Sequence, residues 1–219
     1  MTNRNMSFAL ALSLAALTLT GGNAMAIEEP QYEVLASTDN YEVRRYDSYI
    51  IAETDVEGTY KTAGNKAFRI LAGYIFGDNQ ASEKMAMTAP VGSRPADDGV
   101  KMNMTAPVTS APGNDESGSY TYSFVMENKY SLETLPVPND PRVRLRVVPE
   151  RTVAVHRYSG TWSEDNYLKH ERLLLDALAD DGISTRGVPM SARYNAPFTP
   201  WFMRRNEVII EIDDDFSPE

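Results

Sequence analysis

The chain has no cysteine and only two histidines, His156 and His170. Without cysteine there is no disulfide, no thiol nucleophile and no lipid attachment at a signal-peptide cysteine. Two isolated histidines give no H-x-x-x-H or H-E-x-x-H pair for zinc. G-x-S-x-G, the P-loop and G-x-G-x-x-G are all missing. Positive charge is scarce, with 21 Lys and Arg against 31 Asp and Glu and a net charge of −10. An acidic body argues against nucleic acid or an anionic membrane surface as the main partner. The carboxylates are many, but none are paired in a way that sets acid–base catalysis apart from surface charge. A catalytic site is therefore not expected.

Long apolar runs are also missing. The longest, Phe8 to Thr20, spans 13 residues, short of the roughly 20 that cross a bilayer. Arg4 precedes it, and Gly21, Gly22 and the A-x-A pattern Ala24-Met25-Ala26 follow. This is the grammar of a cleaved signal peptide covering residues 1–26. It predicts an exported chain, periplasmic or secreted, beginning at Ile27 with no membrane anchor after cleavage. The loss of Arg4 makes the net charge one unit more negative.

What is present is an octapeptide occurring almost twice. Lys84 to Val91 reads KMAMTAPV and Lys101 to Val108 reads KMNMTAPV. Turn-forming residues, Gly92 to Gly99, lie between them, which predicts a hairpin. At a period of two, Met85 and Met87 share a face, as do Met102 and Met104. Four flexible, polarizable thioethers at this spacing either fill a barrel core or line an apolar pocket.

The rest of the chain alternates strands and helices. Gln31–Ser37, Tyr41–Tyr46 and Tyr49–Val56 read as strands. Ala63, Ala67, Leu71 and Tyr74 recur at helical spacing within Thr59–Phe76, and Gly77 is a C-terminal cap. Ser119–Met126, Val143–Val148 and Arg151–Tyr158 alternate as strands. Ser163 caps a second helix that runs to Gly182. An extended stretch to about Arg193 and the strand Asn206–Ile212 follow, and Asp213–Glu219 reads as an acidic tail. Tyr41–Tyr46 can be laid beside Val153–Tyr158, each ahead of a helix. The expected fold is α+β, a distorted β-barrel from a tandem β-α-β repeat with two flanking helices. His156 lies in an alternating strand and His170 in the polar part of a helix. Both are candidates for a metal or ligand contact, and both also read as ordinary strand and surface residues.

Two motifs resemble the SOUL/haem-binding-protein family: the doubled K-M-x-M-T-A-P-V, and Arg193-Tyr194-Asn195 through Pro200-Trp201-Phe202 to Arg204-Arg205-Asn206-Glu207-Val208. The resemblance covers about Tyr32 to Ile212, so residues 27–212 are expected to form one internally duplicated domain. It implies non-enzymatic binding of haem or another tetrapyrrole in a shallow apolar groove partly formed by the first helix. The candidate lining is Phe68, Leu71, Tyr74 and the four methionines Met85, Met87, Met102 and Met104. Lys61, Lys66 and Arg69 are the cations nearest in sequence for the ligand's propionates. The resemblance does not map an axial ligand onto His156 or His170. Two other readings stand beside it: an effector-type module for another small apolar ligand, and a structural or interaction protein with no ligand. The segment around Pro197, Pro200 and Trp201 reads as an irregular stretch pinned to the core.

Overall fold

The computed structural model describes residues 27–81, 99–113, 118–213 and 216. The predicted signal peptide, the first octapeptide copy with Met85 and Met87, and most of the acidic tail lie outside the described residues.

The elements are β1 (Tyr32–Ser37), β2 (Glu42–Tyr46), β3 (Tyr49–Glu57), α1 (Tyr60–Ile75), β4 (Asn79–Gln80), β5 (Val108–Pro112), β6 (Ser119–Val125), β7 (Val137–Pro138), β8 (Arg144–Val148), β9 (Arg151–Tyr158), α2 (Glu164–Asp180), β10 (Thr185–Arg193) and β11 (Asn206–Ile212). Nine strands form one antiparallel sheet in the order β1-β2-β9-β11-β10-β5-β6-β3-β8, and β4 pairs with β7. The sheet curls into a half-barrel.

Counting outward from the central β5–β10 pair, one side runs β5-β6-β3-β8 and the other β10-β11-β9-β2. In each half a strand enters a helix (β3 and β9), the next two strands of the sheet follow the helix, and the second of them lies between the other two: β6 between β5 and β3, and β11 between β10 and β9. A tandem β-α-β unit would produce this order. The strand that enters α1 is β3, as β9 enters α2. Tyr41–Tyr46 contains β2, which pairs antiparallel with β9 and is separated from α1 by β3.

Helix α1 starts where the sequence places it. The Thr59 hydroxyl accepts from the Thr62 amide, and Gly77 follows the last turn with φ +117, a conformation glycine adopts without strain. The buried face of α1, with Ala63, Ala67, Leu71 and Tyr74, packs on Ala52, Val56, Tyr122 and Phe124 of β3 and β6. Ser163 caps α2, whose Tyr167, Leu174 and Leu178 pack on Val43, Ala154, Val208 and Ile210. Each fully buried Leu contributes about 1.5–3 kcal/mol. Both faces of β9 are covered: Ala154 faces α2, while Val153 and Val155 join Tyr46, Ala192, Tyr194 and Ile209 on the opposite face.

The predicted methionine hairpin needs correction. Lys101 to Pro107 is irregular, contains the cis Ala106–Pro107 bond, and becomes strand only at Val108. Its backbone donors go elsewhere. Met102 N–H donates to Ile75 O at the end of α1 (2.9 Å), Asn103 N–H to Glu127 Oε1 (3.1 Å) and Ala106 N–H to Glu28 O (2.9 Å). Strand β5 is already paired on both sides, by β6 and β10.

Candidate functional site

The groove beside α1 is an open cleft of about 540 Å³, within the roughly 300–1,000 Å³ typical of ligand sites. Val56 of β3 and Ile70 of α1 supply its apolar surface, with Lys66, Arg69 and Arg142 as cations and Asp55 and Glu57 as anions. Lys66 Nζ donates to Glu57 O at 3.0 Å, which fixes the amine at the mouth. Arg142 is held by Asp140, with Nη2–Oδ2 at 2.6 Å. Asp55 is engaged by Arg144 at 2.8 Å. Arg69 forms no hydrogen bond or ion pair with a described residue, so its guanidinium is available to an incoming anion. Among the described residues the lining contains no His, Met, Cys or Tyr, so these residues offer no imidazole, sulfur or phenolate to an iron.

The candidate residues on α1 do not share one wall. At about 100° per residue, Phe68 and Lys66 lie roughly 160° apart around the helix. Lys66 and Arg69 border the cleft. Phe68 sits on the other flank, its ring edge-on to Phe124 with centroids 5.7 Å apart. Lys61 is exposed and outside the cleft lining. Leu71 and Tyr74 lie in the core beneath the helix, 0% and 1% exposed. Tyr74 donates its hydroxyl proton to Pro136 O at 2.8 Å, and burial pushes its phenol well above the usual range. Met102 is buried and Met104 half-buried against this same core. The expected shared direction of Met102 and Met104 is therefore present, without a strand to impose it. The residues that sequence reasoning missed are Val56, Ile70 and Arg142. Arg142 comes from a proline-rich connection 73 positions from Arg69, and nothing local links the two.

The two histidines meet. His156 Nε2 lies 2.9 Å from His170 Nδ1, and His156 Nδ1 lies 2.5 Å from Asn40 O. A carbonyl only accepts, so His156 Nδ1 carries a proton. In the neutral pair His156 Nε2 then accepts from His170 Nδ1–H. His170 also stacks on Tyr158 at 4.1 Å. Burial, then the neighbouring His156 and Lys169, push His170 down to about 4. The only imidazole nitrogen without a described partner is His170 Nε2. The pair lies between β9 and α2, outside the cleft lining.

The C-terminal motif is anchored differently from expectation. Trp201 is 59% exposed and Phe198 89%, so neither pins the segment to the core. Trp162 packs there instead. Its Nε1–H donates to Asn206 Oδ1 at 2.8 Å, and the Arg204 guanidinium lies 4.2 Å over its ring. Arg204 also donates to Thr199 O and Pro197 O. Arg205 binds Glu207 and Glu29.

Curled half-barrels with a helix on each half occur in other solved proteins. A hydrolase from Listeria innocua shares 12% identity at a TM-score of 0.52, over 81% of this chain and 94% of that one. An uncharacterized conserved protein from Listeria innocua gives 11% and 0.53, over 81% and 94%. The C-terminal domain of EcmrR gives 11% and 0.50, over 83% and 98%. At these identities the likeness is one of fold. Comparison with curated proteins finds no match. The family model described as SOUL heme-binding protein matches residues 27–211. The chain belongs to the SOUL heme-binding family.

Proposed function

We propose that this protein binds haem or another tetrapyrrole, without catalysis, in the cleft between α1 and the β3 side of the sheet. The observation that carries the reading is the placement of Lys66 and Arg69 over Val56 and Ile70. A tetrapyrrole has a flat apolar ring and carboxylate arms. The aliphatic floor takes the ring edge, and the two α1 cations take the carboxylates through charge-assisted bonds. Arg142, already paired with Asp140, contributes a further guanidinium to the lining. Bound haem would add its iron, but the described residues of the cleft lining include none of the usual ligands to it. Shape and charge hold the macrocycle, and an iron-free porphyrin with the same arms should bind comparably.

Export to the periplasm or the medium, after cleavage following Ala26, belongs to the same reading, as does the internal duplication of residues 27–212. Among the described residues no helix is long and apolar enough to cross a membrane.

The test is absorbance titration of the chain from Ile27 with hemin and with protoporphyrin IX. The expected result is saturation near one equivalent for both, with affinities within about threefold. The reading fails if neither ligand changes its spectrum, or if hemin alone binds and replacing both histidines abolishes it.

A further inference from the structure

The sheet face turned away from the helices carries a second cavity of about 130 Å³. Along β3 its lining residues, Tyr49, Ile51 and Glu53, alternate with Ala52, Thr54 and Val56, of which Ala52 and Val56 lie under α1. A tetrapyrrole is far too large for this space. An apolar cavity of about 150 Å³ holds one benzene ring, so the volume here is that of a single six-membered ring. The walls suit one: Ile51, Val125, Val148, Ile209 and Met190 are aliphatic or thioether, and the Tyr46 and Tyr49 rings stand 6.2 Å apart, tilted by 60°.

The polar part of the lining is unbalanced. Its charged members are Glu53, Arg146 and Arg151, one anion against two cations. Glu53 is already engaged by Arg146 at 3.1 Å and by Arg144 at 3.4 Å. Arg151 Nη2 donates to the Tyr49 hydroxyl at 2.8 Å, and its nearest carboxylate, Glu211, is 3.9 Å away. Arg151 Nε is buried with no hydrogen-bond partner. A buried guanidinium N–H with nothing to donate to is costly, and the fork geometry of arginine is matched by a planar carboxylate.

We infer that this cavity is a second binding site, for a single-ring aromatic carboxylate, with the ring between Tyr46, Ile51 and Met190 and the carboxylate on Arg151. The inference is independent of tetrapyrrole binding, because the two sites share no lining residue.

The experiment is calorimetric titration of the chain from Ile27 with sodium benzoate at neutral pH, with toluene and acetate as comparisons. Benzoate should bind saturably at one equivalent, at least tenfold more tightly than toluene or acetate. Arg151→Lys keeps the charge but loses Nε–H and should weaken benzoate at least tenfold. Met190→Trp should abolish binding by filling the cavity; Ala111→Leu does so with less bulk where the first variant fails to fold. Hemin titration of the same variants should be unchanged, which separates the two sites. The inference is overturned if benzoate does not saturate, if toluene binds as tightly, or if folded Arg151→Lys and cavity-filling variants keep wild-type benzoate affinity.

Discussion

Arg44 and Glu207, 163 positions apart, form a bidentate ion pair inside the sheet, with Arg44 Nη1 3.1 Å from Glu207 Oε2 and Nη2 3.2 Å from Oε1. The pair ties β2 near the start of the fold to β11 at its end. Both side chains are nearly inaccessible, at 3% and 0% exposure. Glu207 also accepts from the Tyr194 hydroxyl at 2.5 Å and from Arg205 Nε at 3.0 Å. Burial opposes the charge on Arg44, but the Glu207 charge and bonds outweigh it and raise its pKa. This carboxylate is the hub that the R-R-N-E part of the C-terminal motif encodes.

Removing that hub leaves Arg44 charged and buried, with Glu42 and the Tyr46 hydroxyl as its remaining described hydrogen-bond partners. Loss of one member of a buried pair costs about 3–5 kcal/mol. Glu207→Ala should therefore lower the unfolding free energy by about that much, read as a lower urea midpoint at an unchanged slope. Double replacement of Arg44 and Glu207 by Met and Leu should recover much of the loss. A Glu207→Ala midpoint within 0.5 kcal/mol of wild type, about the effect of an ordinary surface change, would show that the network carries no stability.

The histidine pair predicts a pH dependence with a definite sign. His170 is pushed down to about 4 in the folded chain, against about 6.5 for a free imidazole. Between those values the unfolded chain binds the proton more readily, so stability is full above about pH 6.5 and falls as pH drops toward 4. With two histidines in the chain, proton NMR should show two imidazole titrations, one with a midpoint near 4. In His156→Gln that midpoint should rise, since one of the groups that depresses it is gone. The urea midpoint of His170→Gln should change less between pH 6.5 and 4.5 than that of wild type. Two imidazoles titrating near 6.5 would contradict the contact.

The strands and both helices are legible because periodicity and caps are local signals. Thr59, Gly77 and Ser163 mark helix ends by chemistry that acts within one turn. The KMNMTAPV segment misled because its alternation is real, while its backbone donors are claimed by Ile75, Glu127 and Glu28, distant residues that no spacing rule reaches. The same limit applies to the cleft. Lys66, Arg69 and Ile70 share one helix, but Val56 and Arg142 join them only through tertiary packing. His156 and His170 looked like separate surface and strand residues because their contact depends on α2 packing over β9.

Core filling and pocket lining make different predictions for Met102. It is 6% exposed and sits in the core beneath α1. Truncating a buried Met costs about 2–5 kcal/mol. Met102→Ala should lose that much by urea denaturation, and half-buried Met104→Ala less. If Met102→Ala keeps wild-type stability while hemin affinity falls, Met102 lines the ligand site instead.

The two flanks of α1 give the sharpest test of where a tetrapyrrole sits. Arg69 has no described partner and borders the cleft, so Arg69→Glu both removes a cation and adds an anion where carboxylates should dock. Hemin affinity should fall at least tenfold, with the fold unchanged by circular dichroism. Phe68, on the opposite flank against Phe124, should behave differently: Phe68→Asp should leave hemin within about threefold of wild type. Leu71→Asp is uninformative about binding, because burying a carboxylate in this core should unfold the chain. If Phe68→Asp weakens hemin more than Arg69→Glu does, the ligand lies on the Phe68 flank and the cleft beside Ile70 is not its site.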